Sequence, residues 1–212
     1  MWNWNGKNSG FFSLSSPGPT IVFYMADIQT IYQETIKFAA EKHGAQKVKG
    51  AKIPYVVHLS NVAMEIFMAA RKTHGFDLGY ALQLALLHDT IEDTEATRKE
   101  LEMVFGKDIA DGVWALTGDP KLLKEYRLPD CIAKIRKFPR EVGAVKLADR
   151  ITNLQAPPRS WSKSHISDYL YDSEQILQAL HGSNEYLAKR LQSKIEEYGK
   201  YLKGSKSESL KV

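Results

Sequence analysis

His58, the adjacent pair His88-Asp89 and Asp149 are the residues of this chain whose types point most directly to chemistry. Imidazole nitrogen and carboxylate oxygen in one set suit a divalent transition ion such as Mn²⁺, Fe²⁺ or Zn²⁺, whereas hard ions prefer oxygen alone. The His88-Asp89 pair follows an apolar run containing Leu84, Leu86 and Leu87, so it is expected to end a buried helix. Buried charge without a partner is costly. Either salt bridges or a metal must compensate it. On a helix, His88 and Glu92 are four apart, and so are Asp89 and Asp93. If the helix frays after Asp89, the segment TIED becomes a short link that hangs both acids over one point. Glu92 and Asp93 then form a carboxylate pair suited to general acid-base work on water activated by a metal.

The elements that must position these residues read as helices almost throughout. Ile28, Ile31, Tyr32, Ile36 and Ala39 recur at helical spacing, with a stop near His43-Gly44. A basic loop punctuated by Gly50 and Pro54 follows, and further helices are expected over residues 58–73 and 77–89. Thr94 reads as the cap of a helix that stops at Gly106, followed by shorter helices over 108–117 and 129–137. Pro139 stands in the first turn of a helix that carries Asp149 and runs to about residue 154. The segment QAPPRSWS breaks the chain before two terminal helices, over about 162–180 and 183–202. No stretch alternates with period two, and no internal repeat is seen. The expected fold class is all-α.

Composition narrows the classes further. Hydrophobic content of 43% and charged content of 25% are ordinary for a globular protein. The single cysteine, Cys131, rules out an internal disulfide framework and fits a reducing, cytoplasmic setting. The formal charge of +4 favours an anionic small substrate, but the basic residues are spread out and show no aromatic-interleaved patch, so no nucleic-acid partner is expected. No apolar run approaches the length of about 18 residues that spans a bilayer, so no membrane partner is expected either. Residues 1–24, rich in Gly, Ser, Asn and Pro, read as a disordered extension, with Met25 a candidate start; the alternative is an arm folding back through Trp2, Trp4, Phe11 and Phe12. Residues 204–212 read as a flexible tail, which leaves residues 25–203 as the folded domain.

The segments HGAQKVKG…PYVVH, LLHDTIEDT and VKLADRITNL resemble three successive motifs of HD-domain phosphohydrolases. More narrowly, they resemble the small alarmone hydrolases and the hydrolase half of the RelA/SpoT family, over about residues 26–202. The resemblance implies an HD-domain helical fold of about eight to eleven helices. It implies one Mn²⁺ held by His58, His88, Asp89 and Asp149, with Glu92 and Asp93 as the catalytic acids. It puts Asn153 near the substrate ribose. The implied reaction removes the 3′-pyrophosphate from (p)ppGpp, giving GDP or GTP plus pyrophosphate, with no synthetase or regulatory half attached.

Departures from the family pattern bear on the substrate. Val48 stands where the resembling enzymes carry an arginine that stacks on guanine, and valine offers no guanidinium to the base. Adenosine analogues therefore join the expected substrates. Tyr169 keeps a substrate-side tyrosine, and His165 stands where animal members have an arginine facing the 5′-phosphates. Lys49, inside a matched motif, is the leading phosphate contact, with Lys121, Lys124 and Lys146 as further candidates. The alternative enzyme reading is an HD phosphohydrolase of another phosphorylated nucleotide, such as NADPH. A binding module that senses alarmone without cleaving it is disfavoured, because every ligand and both acids are present. Oligomeric state is left open.

Overall fold

Helical apolar spacing is realised as an all-α structure. The computed structural model describes residues 27–203, so the expected extension, Met25 and the tail lie outside the described residues. In chain order the helices are α1 (Ile28–His43), α2 (Tyr55–Ala70), α3 (Leu78–Leu87), α4 (Thr90–Asp93), α5 (Arg98–Phe105), α6 (Lys107–Leu116) and α7 (Lys124–Ile135). They continue with α8 (Arg140–Asn153), α9 (Lys163–Leu180), a 3₁₀ turn (His181–Ser183), α10 (Glu185–Tyr198) and α11 (Lys200–Lys203). Extended pairing among the described residues is limited to an isolated bridge between Lys47 and Pro54. It pins the base of the loop between α1 and α2.

Helix α3 organises the rest. Its sequence LGYALQLALL leaves almost no polar face, and Ala81, Leu82, Leu84, Ala85, Leu86 and Leu87 are fully buried. A helix that is apolar all round has to be enclosed. Helices α1, α2, α6 and α8 pack around it. Helix α8 buries Val142, Ala144, Val145, Leu147, Ala148 and Ile151. Its Gly143 permits a close approach to the 3₁₀ turn, because a Cβ there would lie 2.2 Å from Ser183 Oγ. Helices α9 and α10 close the far side of α8 with Ile176, Leu180, Leu187, Leu191 and Ile195.

Pro139, expected inside the first turn, is instead the cap of α8 (φ −53°, ψ 152°), and the helix expected over 183–202 is divided at Gly199 into α10 and α11. Three further helix starts differ from the sequence expectation. Helix α2 begins at Tyr55 rather than at residue 58, since Pro54 (φ −57°, ψ 142°) ends the loop in a conformation from which the next residue can turn helical. The cap of α5 is Thr97, not Thr94: Thr97 Oγ1 accepts from Glu100 N at 3.2 Å, as a Thr-x-x-Glu cap does. Thr94 instead closes α4, donating to Thr90 O at 2.6 Å. Helix α7 starts at Lys124, so Pro129 lies inside it rather than opening it. Proline there removes one helical bond, and Arg127 ties the preceding turn to the carbonyls of Leu122 (3.0 Å) and Pro120 (3.1 Å).

Candidate active site

The end of α3 delivers the central pair. His88 keeps helical angles as the C-cap, but Asp89 (φ −101°, ψ 0°) turns the chain into the single-turn α4. Thr90 Oγ1 satisfies the released carbonyl of Leu87 at 2.7 Å. His88 is 3% exposed, and its Nδ1 lies 2.9 Å from Ala85 O. A carbonyl only accepts, so Nδ1 carries the hydrogen and Nε2 is left to face inward. His58, from the first turns of α2, presents Nε2 at 3.4 Å from His88 Nε2 and at 3.4 Å from Asp149 Oδ1. His88 Nε2 stands 3.6 Å from that same oxygen. The donor atoms of His58, His88 and Asp149 all lie within 4.8 Å of one another. Donors sharing one ion at about 2.1 Å sit about 3–3.5 Å apart. Two imidazoles and a carboxylate at these separations therefore fit a divalent cation.

Asp89 stands at the margin of this cluster. Its Oδ2 is 2.8 Å from His88 Nε2 and 3.8 Å from His58 Nε2, and it accepts a hydrogen bond from the Tyr55 hydroxyl. Asp149 is held on both oxygens: Asn153 Nδ2 donates to Oδ1 at 2.5 Å, and Lys146 Nζ lies 3.4 Å from Oδ2. Burial alone would raise the pKa of Asp149, but Lys146 and the two histidines override it and hold the carboxyl well below the usual range. Burial would likewise lower His88, yet Asp89 and Asp149 push it well above the ordinary imidazole value. The cluster is thus a negative site that stabilises positive charge. Salt bridges compensate its buried groups, and the same field serves a cation.

Glu92 and Asp93 share α4 and are both exposed. Each is fixed from a different side. Gly118 N, in the loop between α6 and α7, donates to Glu92 Oε2 at 2.8 Å. Gln46 Nε2, in the loop between α1 and α2, donates to Asp93 Oδ2 at 3.1 Å. The helix does break where the sequence allowed it, and the TIED turn carries both acids directly after the His88-Asp89 pair.

The residues expected to meet substrate fall on the α1–α2 loop (Val48, Lys49), the end of α8 (Asn153) and one face of α9 (His165, Tyr169), with the further lysines on α7, α8 and the loop before α7. Val48 is half-buried, its backbone bonded to Ile53 O (2.9 Å) and Ala51 N (3.0 Å). Lys49 is exposed, with Nζ 5.7 Å over the Trp161 ring. Gly50 has φ +78°, and a Cβ there would lie 2.9 Å from Pro158 Cγ, so the two loops touch where only glycine fits. His165 stacks on Trp161 (4.0 Å, 14°), and Tyr169 meets Trp161 edge-on at 5.2 Å beneath the Arg150 guanidinium at 4.3 Å. Lys146 is spent on Asp149. Lys121 and Lys124 are exposed, and Lys124 lines a separate cavity of about 880 Å³ between α7 and α9, with Asp168 and Tyr171.

The sequence reading did not single out Tyr55, Gln46 or the Gly118 amide. Tyr55 precedes His58 by one helical turn, so spacing could have found it once the helix was started at Tyr55. Gln46 and Gly118 lie in loops, where spacing carries no such signal.

No family model matches the chain. It is 35% identical over 171 residues to the guanosine-3′,5′-bis(diphosphate) 3′-pyrophosphohydrolase MESH1 of Danio rerio, covering 78% of this chain and 93% of that protein. To the protein of the same name from Homo sapiens it is 33% identical over 171 residues, again 78% and 93% of the two chains. A solved structure described as a metazoan ortholog of SpoT that hydrolyzes ppGpp and plays a role in starvation responses superposes with a TM-score of 0.71 at 28% identity. That match covers 87% of this chain and 99% of the other.

Proposed function

This chain belongs to the MESH1 family of guanosine-3′,5′-bis(diphosphate) 3′-pyrophosphohydrolases, and we propose that it removes the 3′-pyrophosphate from ppGpp at the cluster between α2, α3, α4 and α8. The observation that carries this reading is the convergence of His58, His88 and Asp149 within 4.8 Å, with two acids one turn beyond. His58, His88, Asp89 and Asp149 would hold one divalent ion, and mixed nitrogen and oxygen donors favour Mn²⁺ or a similar transition ion over Mg²⁺. Such an ion lowers the pKa of water and screens charge on phosphoryl oxygens.

The chain's own groups do the rest. Glu92 or Asp93 accepts the proton of the water that attacks the 3′-phosphorus, and the bond from phosphorus to the ribose 3′ oxygen breaks. That oxygen takes up a proton, giving GDP and pyrophosphate. Asn153 holds Asp149 with its amide nitrogen and borders the ribose. Lys49 with Val48 on one loop, and His165 with Tyr169 on α9, are assigned to the two sides of the nucleotide, and Trp161 links them through its contacts with Lys49 and His165. The contact of Gly50 with Pro158 ties the first loop to the loop that leads into α9.

The test is to incubate Mn²⁺-loaded protein with ppGpp, ppApp, NADPH and GTP and to resolve the products by chromatography. GDP and pyrophosphate from ppGpp are expected. Intact ppGpp beside dephosphorylated NADPH would overturn the reading in favour of another nucleotide. Glu92→Gln and Asp93→Asn should each keep the metal yet lose at least about 10²-fold in turnover. Activity within about threefold of the parent in both would leave the acids without their role.

A further inference from the structure

The proposed acid Asp93 sits on a turn of four residues, too short to hold a carboxylate still by itself. Its aspartate side chain is tied through Gln46 to a buried histidine. Gln46 Nε2 donates to Asp93 Oδ2 at 3.1 Å, while Gln46 Oε1 lies 2.7 Å from His43 Nδ1. The directions are forced by chemistry. A carboxylate only accepts, so the amide nitrogen of Gln46 must face Asp93, and the amide oxygen then faces His43 and requires a hydrogen on Nδ1. His43 is 5% exposed and its ring stacks on Tyr55 (4.7 Å, 29°), so it cannot turn away. The Gln46 backbone is pinned as well: its N–H donates to His43 O at 2.9 Å, and its carbonyl accepts from Tyr55 N at 3.0 Å.

We propose that Gln46 and His43 are positioning residues for Asp93, with His43 fixing the amide so that its nitrogen holds one carboxylate oxygen and leaves the other for the reaction. The inference rests on the reading of Asp93 as a catalytic acid. Both residues lie on the C-terminal end of α1 and the loop after it, so this element reaches the chemistry without donating to the metal. Through Tyr55, which stacks on His43 and bonds Asp89, the same end of α1 also abuts the ligand cluster.

The experiment measures ppGpp hydrolysis by Mn²⁺-loaded Gln46→Leu, Asp93→Asn and the double variant, together with bound metal per chain and Tm. Gln46→Leu should lower kcat at least about tenfold, the scale of a lost bond to a charged group. KM should stay within about twofold, and metal content should match the parent. In the Asp93→Asn background the same change should cost nothing further, because an amide at position 93 takes no proton whether or not Gln46 holds its oxygen. His43→Leu should reproduce the kcat loss, and its Tm separates that effect from misfolding. If His43→Leu does not fold, the Gln46 and Asp93 cycle still decides. Parental kcat in Gln46→Leu, or an equal penalty with and without Asp93, overturns the inference. Parental turnover in Asp93→Asn itself would instead sink the functional reading on which it depends.

Discussion

Tyr55→Phe removes a single oxygen from the site and leaves the ring that stacks on His43 and lies 5.2 Å from the His58 ring. What is lost is the hydroxyl that donates to Asp89 Oδ2. A hydrogen bond to a charged group contributes about 1.5–3 kcal/mol. Asp89 is 23% exposed, so water recovers part of this, and the lower half of the range applies. That corresponds to about 12- to 45-fold in affinity, the scale at which partners of metal ligands act. Calorimetric titration of Mn²⁺ into chelator-stripped protein should show the Kd rising by that factor with one ion bound in both proteins. At a fixed Mn²⁺ concentration above both Kd values, Tm should fall as the mass-action term shrinks. An unchanged Kd in Tyr55→Phe, alongside lost binding in Asp89→Asn, would mean that His88 alone orients Asp89 and that the tyrosine hydroxyl is idle.

Gly50→Ala puts a Cβ 2.9 Å from Pro158 Cγ at a φ of +78°, so the loop must move off its neighbour. Strain of about 1–2 kcal/mol is expected, with KM for ppGpp raised several-fold and kcat nearly kept; an unchanged KM would separate this loop contact from substrate binding. Val48→Arg should raise the ratio of kcat/KM for ppGpp over ppApp, since an apolar wall discriminates by only about 1–3 kcal/mol. A parent protein that already prefers ppGpp by more than about a thousandfold would show that another residue reads the base. Asp111 is bonded by Lys107 and by Arg98 (2.5 Å), and Lys107 foremost lowers its pKa. Because the folded pKa lies below the unfolded one, the stabilisation is present above about pH 4. Denaturant unfolding of Asp111→Asn should show a loss under about 1 kcal/mol at pH 7 that vanishes as the pH falls below that range; a gap that persists at low pH would assign the loss to packing.

The helices were legible because their apolar residues recur at helical spacing, and α3 most clearly, where an unbroken apolar run ends in His88-Asp89. The same run marked those two as buried chemistry, and the structure puts His88 at 3% exposure beside His58 and Asp149. Helix starts were less legible, for a physical reason. A cap is one hydrogen bond, and a chain offering Thr94 and Thr97 three residues apart presents two candidates for it. Only the closure of α4 by Thr94 decides between them. Pro129 misled in the same way. Its cost inside α7 is one bond, and side-chain bonds from Arg127 hold the turn before it.

The groups that orient the site escaped the sequence because they act through loops. His58, His88 and Asp149 are fixed by α2, the end of α3 and α8, helices anchored by their buried apolar residues, and a resemblance in motif suffices to find them. Glu92 and Asp93 sit on a four-residue turn that has no stability of its own. Their geometry is borrowed from a backbone amide at Gly118 on one side and a side-chain amide at Gln46 on the other. Two residues at neighbouring positions are thereby governed by two different loops, separated by most of the α1 to α6 bundle along the chain. Electrostatic stabilisation calls for donors that do not move, and the helix-borne cluster supplies them. Proton transfer calls for acids that can meet substrate and water together, and two exposed carboxylates held by one hydrogen bond each can make that adjustment. Loop changes at Gln46 or Gly118 should therefore shift turnover while leaving the metal cluster in place, whereas changes to His88 or Asp149 should lose both.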